Sequence, residues 1–415
     1  MSEGSLGISG VGCRYGGVFG AKHQKHPHIF PLPRQFPKSR HSLGFCLIFR
    51  DEIVITGNGM NILFISRAYP PVIGGIEKQN FEIAQALSRI CNVSVISNTR
   101  GKRFLPLFLP YVTLRALLSA HKYDVVLLGD GVLGITGYVL QLFTGKPVAC
   151  IIHGLDLTYK NTIYQRLWVK FFILHIDKLI AVGNETIHQG VLRGIPESKF
   201  VFIPNGVAPA SQGKKYTRNE LEALIGKKVK GHILLTLGRL VKRKGIAWFI
   251  NNVVSMLDEE IIYIIAGTGK EEPNILSAIQ NNHLQDRVFL IGEVSDKEKQ
   301  LLFSTTDIFI QPNIKVAGDM EGFGLVVLEA AASGCVVIAS RLEGLTDSIQ
   351  HGQNGFLVTP GNADEYREKI ESVLDNPQDK DAFGKQARVY VKSNYSWPLI
   401  AKKYLDVLVS LGTVP

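Results

Sequence analysis

The sequence predicts an α/β protein with two doubly wound parallel sheets, in two Rossmann-like domains that face a central cleft. Short runs rich in Val and Ile, apolar throughout, alternate with longer amphipathic helical patterns, as expected for parallel strands covered by helices on both faces. This alternation stops at the polar stretch 210–216 and then begins again. Two domains of the same architecture are the simplest explanation.

Each half contains six strand-like runs. In the first half they span 61–66, 93–97, 123–129, 147–153, 179–183 and 200–204. In the second half they span 232–237, 261–267, 288–292, 307–312, 335–340 and 356–358. Sheets of this kind bind ligands at the carboxyl ends of their strands, so we expect functional residues in the loops that follow these runs.

The first 59 residues differ from the rest of the chain. They carry 7 Lys or Arg against 3 Asp or Glu, with little apolar periodicity before residue 45. We interpret 1–59 as disordered or as an over-extended gene start with Met60 as the natural initiator; an organelle transit peptide is the alternative. The domains are then 60–212 and 213–397, and a helical pattern follows in 398–415.

Charge and cysteine content narrow the function classes. The net charge of +10 favours phosphate-bearing partners or anionic membrane surfaces. The five cysteines lie far apart and form no CxxC pair, which fits a reducing compartment. No run reaches the roughly 20 apolar residues that span a bilayer, and we expect no secretory signal because the early apolar run 45–49 is too short for one. We expect a cytoplasmic protein without a membrane span.

The first candidate site follows the first strand, in the sequence GGIE. Gly74 and Gly75 precede an amphipathic helix. Paired glycines at a helix entrance let a ligand approach the backbone amides, and the helix N-terminus favours negative charge. Taken alone, these two residues fit an ordinary turn equally well.

The second half contains a cationic loop. Arg239 and Lys244 lie in GRLVKRKG, directly after a predicted strand. Four cations in six residues are typical of a phosphate clamp, since Arg offers a bidentate fork and Lys a point charge; a solvated basic turn is the alternative. Gly267 and Gly269 follow the next strand, but Glu272 replaces the third glycine of a dinucleotide fingerprint, which makes that signal weak.

The most informative stretch is EGFGLVVLEA, in which Glu321 and Glu329 stand eight residues apart around a loop that leads into a helix. Amides at the start of that helix could bind a phosphate, while Glu329 could accept hydrogen bonds from vicinal hydroxyls. A glutamate inside an apolar helix is costly unless something satisfies it. A partly exposed surface glutamate is the alternative.

His153 follows another predicted strand, in the sequence HGLD. At this strand end it would point into the cleft, where it could hydrogen-bond a sugar or act in proton transfer. Taken alone, a structural histidine is the more common case.

In this order, GGIE, HGLD, PNGV, GRLVKRKG, GTG and EGFGLVVLE resemble the motifs of family 4 retaining glycosyltransferases of the GT-B fold, over essentially the whole chain from Met60 onward. The resemblance implies an acceptor-side N-terminal domain, a nucleotide-sugar-binding C-terminal domain and a C-terminal helix that crosses back to the first domain. It implies transfer of a hexose-type sugar from a UDP- or GDP-sugar to a glycan or lipid-linked acceptor in cell-surface polysaccharide biosynthesis, lipopolysaccharide included.

The resemblance also implies roles for single residues. Arg239 and Lys244 would hold the donor pyrophosphate. Glu329 would bind the ribose and Glu321 the hydroxyls of the donor sugar, while His153 would face the reacting sugar. The other donor-binding residues would be Gly74, Gly75, Gly267, Gly269, Gly322, Phe323, Gly324 and Leu325, and Asp156 and Asn205 also fit their motifs.

The resemblance further implies retention of the anomeric configuration without a metal or other cofactor, because Arg239, Lys244 and helix dipoles neutralise the leaving diphosphate. Metal-dependent sugar transferases of the other main fold carry a DxD after a strand. In this chain a DxD occurs at 379–381, in a polar helical pattern, and we interpret it as a solvated helix face.

One segment bears on the acceptor. Residues 84–123 contain no Asp or Glu, and 100–122 combine basic with apolar residues. This composition suggests docking on an anionic membrane surface, at the inner face of the cell membrane. A core helix with a basic outer face fits equally well, and Pro106 and Pro110 argue against a continuous amphipathic helix.

Other classes stay open. A non-catalytic sugar-nucleotide-binding or scaffold protein, a phosphorylase or an epimerase would have the same fold. A nicotinamide dehydrogenase would have no use for the Arg239 and Lys244 pair, and we expect no dinucleotide fingerprint in the chain. The donor base and sugar, the acceptor and the oligomeric state are not readable from the sequence.

Overall fold

The computed structural model describes residues 50–55, 59–72, 74–208 and 216–412. The strands of the first sheet are β1 Arg50–Ile55, β2 Asn61–Ser66, β3 Asn92–Ser97, β4 Val125–Leu128, β5 Val148–Ile152, β6 Lys178–Ala181 and β7 Phe200–Phe202. Those of the second sheet are β8 Ile233–Leu237, β9 Ile262–Ala266, β10 Val288–Gly292, β11 Ile308–Gln311, β12 Val336–Ser340 and β13 Phe356–Val358. All twelve predicted strands are confirmed.

Helices connect these strands. In the first half they are α1 Gly75–Leu87, α2 Leu105–Ser119, α3 Gly134–Thr144, α4 Leu155–Thr158, a π-helix Tyr164–Ile173 and α5 Asn184–Val191. In the second half they are α6 Arg218–Ile225, α7 Ile246–Asn252, α8 Glu272–Asn281, α9 Asp296–Thr305, α10 Leu325–Ser333, α11 Leu345–Ser348, α12 Ala363–Leu374, α13 Pro377–Tyr395 and α14 Trp397–Gly412. The DxD at 379–381 lies on α13, where both aspartates are exposed.

Both sheets are doubly wound, with two parallel strands before the reversal point in the first sheet and three in the second. The first runs β3-β2-β4-β5-β6-β7, all parallel, and the second runs β10-β9-β8-β11-β12-β13, all parallel. In each sheet the order reverses beside the first strand of its domain, between β2 and β4 and between β8 and β11. Ligands of doubly wound sheets bind at this switch point, so the loops after these four strands are where a site is expected.

An additional strand, β1, pairs antiparallel with β3 at the edge of the first sheet. It lies within the segment 1–59, for which we expected disorder, and its pairing with β3 departs from that expectation for these six residues. Residues 1–49 and 56–58, and most of the polar stretch 210–216, lie outside the described residues.

Each sheet is buried on both faces. The strands carry apolar side chains in both directions, as in β2, where Ile62, Leu63, Phe64 and Ile65 are fully buried. Alternate residues therefore enter different cores, Leu63 and Ile65 the one beneath α2 and α3, Ile62 and Phe64 the one beneath α1. This burial makes the sheets rigid platforms for the loops at their carboxyl ends.

The last helix, α14, returns to the first domain, as predicted. Its side chains Ile400, Tyr404 and Leu408 are buried in the core shared with β2 and α1. Just before it, the amide of Val207 donates to the Tyr395 carbonyl at 2.8 Å, and Val207 pairs with Ser396 in a parallel bridge. The two passages of the chain between the domains thus run side by side.

The helix α2 is continuous, contrary to our expectation that its prolines would interrupt it. Pro106 lies in the first turn, where its missing N–H loses no bond, and Pro110 lies inside the helix. By length and composition the stretch Lys102–Lys122 would suffice to cross a membrane. However, its Phe108, Val112 and Ala116 are fully buried in the core, which is the position of an outer-layer helix of the domain.

Candidate functional site

The loops after β8 and β11 meet around Glu321. Its Oε2 accepts hydrogen bonds from Arg243 Nη1 at 2.5 Å, Lys244 Nζ at 2.6 Å and Asn313 Nδ2 at 3.1 Å. Arg243 also reaches Asp319 at 3.1 Å. All three contacts to Glu321 use one oxygen, which leaves Oε1 as the acceptor for a ligand.

The charge of Glu321 is held by these partners. Burial alone would raise its pKa, but Lys244 and Arg243 outweigh that effect and lower the pKa to about 2. Lys244, Arg243 and Glu321 are each less than a tenth exposed. The carboxylate is therefore ionised at neutral pH and fixed in position beside two cations.

Arg239 lies in the same loop but points outward, and its side chain is exposed. Two glycines of the loop after β9 allow that loop to pack closely against the cationic loop. Gly267 has a φ of +133°, and a Cβ at this position would clash with the carbonyl oxygen of Gly238. A Cβ at Gly269 would clash with the carbonyl oxygen of Leu240. These two glycines thus let the loop after β9 lie directly against the cationic loop.

The helix α10 begins at the same place. Gly324, at a φ of +76°, is its N-cap and makes no side-chain bond, so the amides at its start, Leu325 among them, have no partner within the helix. Phe323 differs from the expected lining residues, because its side chain is buried in the core near Tyr395. Contact of Phe323 with a ligand would therefore use its backbone.

Glu329 lies one and a half turns inside α10 and is bound by two lysines. Its Oε1 accepts from Lys299 of α9 at 3.2 Å and from Lys78 of α1 at 2.8 Å. Burial would raise the pKa of Glu329, but the two ammonium groups outweigh it and lower the pKa below its usual value. The two lysines thus compensate the free-energy cost of placing a charged glutamate inside an apolar helix.

His153 stands at the end of β5, across from the Glu321 loop. Its amide donates to Asp156 Oδ2 at 2.9 Å, and its Nε2 lies 3.0 Å from the Gly129 carbonyl oxygen. Since a carbonyl only accepts, Nε2 donates this hydrogen bond, and in the neutral imidazole Nδ1 is then the acceptor. A Cβ on Gly322 would lie 3.3 Å from the His153 carbonyl oxygen, so the two loops meet across the cleft.

His153 borders a buried polar cluster, of which Asp156 was predicted from the sequence but Asp130 and Arg67 were not. Asp130, at the end of β4, is fully buried and accepts from Arg67 Nε at 2.8 Å. Burial raises the pKa of Asp130, against the opposing charge of Arg67. The negative charge of Asp156, which is also buried, raises the pKa of Asp130 further. The His153 loop is therefore anchored by Asp156 above a second carboxylate.

The remaining predicted residues occupy loop positions. Gly74 and Gly75 are exposed at the start of α1, where Gly74 is the N-cap without a side-chain bond. Asn205 follows β7 and is buried, and its Oδ1 has no hydrogen-bond partner in the structure. Gly75 is thus open to a ligand, whereas Asn205 lies below the surface.

A GxGxxG spacing occurs at Gly129, Gly131 and Gly134, where we had expected none. These glycines are buried between β4 and α3. A Cβ at Gly129 would lie 2.6 Å from Asn80 Nδ2, and one at Gly131 would lie 2.9 Å from Asp156 Cβ. Their small size serves close packing of the domain and does not create a dinucleotide site.

Sequence reasoning missed several residues of the site. Arg243, Asn313 and Lys299 supply contacts to the two glutamates, and Lys78 reaches Glu329 from the other domain. Arg243 could have been noticed, because it stands beside Lys244 in a run of cations. Within the described residues, no group of three or more His, Cys, Asp or Glu side chains is arranged to hold a metal ion.

Comparison with known families matches both domains. The family model described as "Glycosyltransferase Family 4" matches residues 73–211, and the one described as "Glycosyl transferases group 1" matches residues 217–390. The two matches together cover the loops that carry Gly74, His153, Lys244 and Glu321.

Among similar proteins is the Staphylococcus aureus capsular polysaccharide biosynthesis glycosyltransferase CapM, 25% identical over 91% of this chain and 95% of its own length. A second is the Mycobacterium tuberculosis GDP-mannose-dependent alpha-(1-6)-phosphatidylinositol monomannoside mannosyltransferase, 27% identical over 72% of this chain and 78% of its own length. Among solved structures, Anabaena HepE in complex with UDP and glucose has a TM-score of 0.68 at 20% identity, covering 85% of this chain and 100% of HepE. That likeness shows that the fold is shared.

Proposed function

This chain belongs to the family 4 glycosyltransferases of the GT-B fold, and from that premise we propose that it moves a hexose-type sugar from a UDP- or GDP-sugar to a glycan or lipid-linked acceptor in cell-surface polysaccharide biosynthesis. The observation that carries the proposal is the convergence of Lys244, Glu321 and Glu329 at the switch point of the second sheet, with His153 facing them from the first domain. Along a nucleotide sugar, Glu329 would meet the ribose, Lys244 the diphosphate and Glu321 the sugar.

The donor would lie along the second domain. Arg239, Lys244 and the amides that begin α10 would bind its diphosphate, since Arg, Lys and helix N-termini all favour phosphate. Glu329 would accept hydrogen bonds from the ribose. Glu321, through its available Oε1, would accept one from a hydroxyl of the donor sugar.

We propose that the reaction retains the anomeric configuration and needs no metal. The charge that develops on the leaving diphosphate would be neutralised by Arg239, Lys244 and the α10 dipole. In a same-face substitution, the bond from the anomeric carbon to the diphosphate oxygen breaks as the acceptor oxygen approaches from the same side. The acceptor hydroxyl passes its proton to that diphosphate oxygen. His153, with Nδ1 as acceptor, would orient a sugar hydroxyl.

An anionic membrane surface is the proposed location of the acceptor, on the cytoplasmic side. Ten large apolar side chains are exposed on neighbouring helices of the first domain: Leu107, Leu114 and Leu118 on α2, Leu142 and Phe143 on α3, and Leu155, Tyr159, Ile163, Leu167 and Phe171 on α4, the π-helix and the turn between them. We call these ten residues the apolar band. The cations Arg103, Lys160, Arg166 and Lys170 are exposed among them. Apolar surface combined with positive charge fits anionic lipid headgroups.

The names of two relatives support this choice of acceptor. One acts in capsular polysaccharide biosynthesis and the other on a phosphatidylinositol mannoside. Leu155 of the apolar band stands two residues from His153 in the chain, so a lipid-linked acceptor lying on the band would bring its sugar to the cleft.

Calorimetry of the full chain with UDP, GDP, ADP and their sugar conjugates, in the presence of EDTA, tests the proposal. We expect saturable binding of one nucleotide family, lost in Arg239→Ala. Transfer from the matching α-linked donor should give an α-linked product by NMR. The absence of binding to any of these nucleotides, or an inverted product, would contradict the proposal.

A further inference from the structure

The hydrogen bond between Lys78 and Glu329 joins the two domains. Lys78 stands in the first turns of α1, close to the exposed Gly74 and Gly75, and its Nζ lies 2.8 Å from Glu329 Oε1 in the second domain. Glu329 raises the pKa of Lys78, although burial opposes it. The ammonium group is thus charged and placed at the mouth of the cleft.

Satisfying the carboxylate does not require Lys78. Lys299 of the same domain already donates to Glu329 Oε1 at 3.2 Å. The Lys78 side chain is 53% exposed, and ion pairs at such exposure contribute little to stability. A cross-domain cation at this carboxylate therefore calls for a role other than folding.

The geometry leaves room for a ligand at both groups. Both lysines use Oε1, so Oε2 is the oxygen that can accept from a vicinal diol. A hydroxyl that donates to Oε2 would lie about 2.7 Å from that oxygen, so it and Lys78 Nζ would be bound to the two oxygens of one carboxylate. An ammonium group has three donors, of which the bond to Glu329 uses one.

We propose that Lys78 is a nucleotide-binding residue supplied by the first domain: it holds Glu329 in place and donates a second hydrogen bond to a hydroxyl of the donor ribose. This inference rests on the proposed function, because it requires that Glu329 receives the ribose. The ribose is then bound from both sides of the cleft, which couples donor binding to domain closure.

The test compares ribose with deoxyribose. Calorimetry of the full chain with UDP and GDP, and with their 2′-deoxy and 3′-deoxy forms, gives the ratio of affinities for ribose and deoxyribose nucleotides. We expect Lys78→Met to weaken binding of the ribonucleotide by about ten-fold, the usual loss of a hydrogen bond to a charged group, and to weaken at least one deoxy form much less. Lys78→Arg should restore part of the discrimination.

A matched control separates ribose recognition from domain contact. Asn184 of the first domain donates to both oxygens of Asp347 in the second, at 2.8 and 2.6 Å, through its backbone and side-chain nitrogens. Asn184→Ala should leave the ratio of ribose to deoxyribose affinity unchanged. Equal weakening of all nucleotides by Lys78→Met, no weakening, or tighter binding would overturn the inference. Failure of the unaltered chain to bind any nucleotide would instead contradict the proposed function.

Discussion

Lys244 and Glu321 form a buried ion pair of 2.6 Å, and the loops after two neighbouring strands supply one partner each. The pair ties the cationic loop to the Glu321 loop and so fixes the position of its charge. Preorganised charge of this kind costs no rearrangement when the reaction occurs. In the proposed donor complex, the diphosphate would share Lys244 with the carboxylate that is proposed to contact the sugar.

Replacing Glu321 should stop transfer. Glu321→Gln removes the negative charge between Lys244 and Arg243, so we expect the turnover number to fall at least about 100-fold, the order seen when one preorganised electrostatic contact is lost. Measurement of labelled sugar transfer under saturating donor tests this. Lys244→Ala should instead weaken donor binding and turnover together. Near-normal turnover in both variants would refute the site.

Stability at acid pH should depend on the same carboxylate. Its pKa is about 2 in the folded protein against an ordinary 4.5, so its contribution is complete above pH 4.5 and is lost as pH falls toward 2. The depression corresponds to on the order of 3 kcal/mol. Urea unfolding at pH 6, 4 and 3 should show this loss in the unaltered protein and a smaller one in Glu321→Gln. Parallel curves would contradict it.

Arg243 should act as a positioning residue for Glu321. Arg243→Met removes the 2.5 Å contact and leaves Lys244 and Asn313 to hold the carboxylate. We expect turnover to fall by about ten-fold, the value of one charged hydrogen bond, with partial rescue by Arg243→Lys and a shift in the acid limb of the pH–rate profile. Asp319→Asn, which removes the half-exposed partner of Arg243, should have a smaller effect. An unshifted profile in Arg243→Met would argue for a purely structural role.

Gly267 should be far less tolerant of alanine than Gly292. Both have positive φ, +133° and +73°, but nothing lies within 4 Å of a Cβ at Gly292, whereas one at Gly267 clashes with Gly238. Gly292→Ala should cost about 1 kcal/mol from the backbone alone. Gly267→Ala should lower the melting temperature further and weaken nucleotide binding, because it displaces the cationic loop. Equal effects of Gly267→Ala and Gly292→Ala on melting temperature and nucleotide binding would show that close packing at Gly267 has no special role.

The apolar band should bind anionic vesicles. Co-sedimentation of the full chain with phosphatidylglycerol vesicles is expected to fall at high salt, because exposed charges are screened. Leu107→Ser, Leu114→Ser and Leu118→Ser together should abolish sedimentation while leaving nucleotide binding intact. A control triple of exposed apolar residues outside the band, Leu192→Ser, Leu276→Ser and Val389→Ser, should have no effect. Equal loss in both triples would reject the docking surface.

The strands could be predicted because a doubly buried strand is recognisable by its own residues. The strand β1 could not be predicted, because its formation depends on pairing with β3, and local periodicity does not reveal that pairing. Glu321 and Lys244 were expected in one site because their motifs resemble those of the family 4 glycosyltransferases. The inward direction of Arg243 and the contact between Lys78 and Glu329, 251 positions apart, depend on tertiary packing that no spacing encodes.

The side-by-side passage at Val207 and Ser396 restricts how the domains can move. The two segments that connect the domains are hydrogen-bonded to each other from Val207 to Tyr395, so together they form a single hinge. Rotation of the domains about this hinge keeps the bridge between Val207 and Ser396, whereas twisting or sliding of one domain past the other would break it. We therefore expect the cleft to open along one path, so that each closure would return Lys78 and His153 to the same places beside α10 and the Glu321 loop.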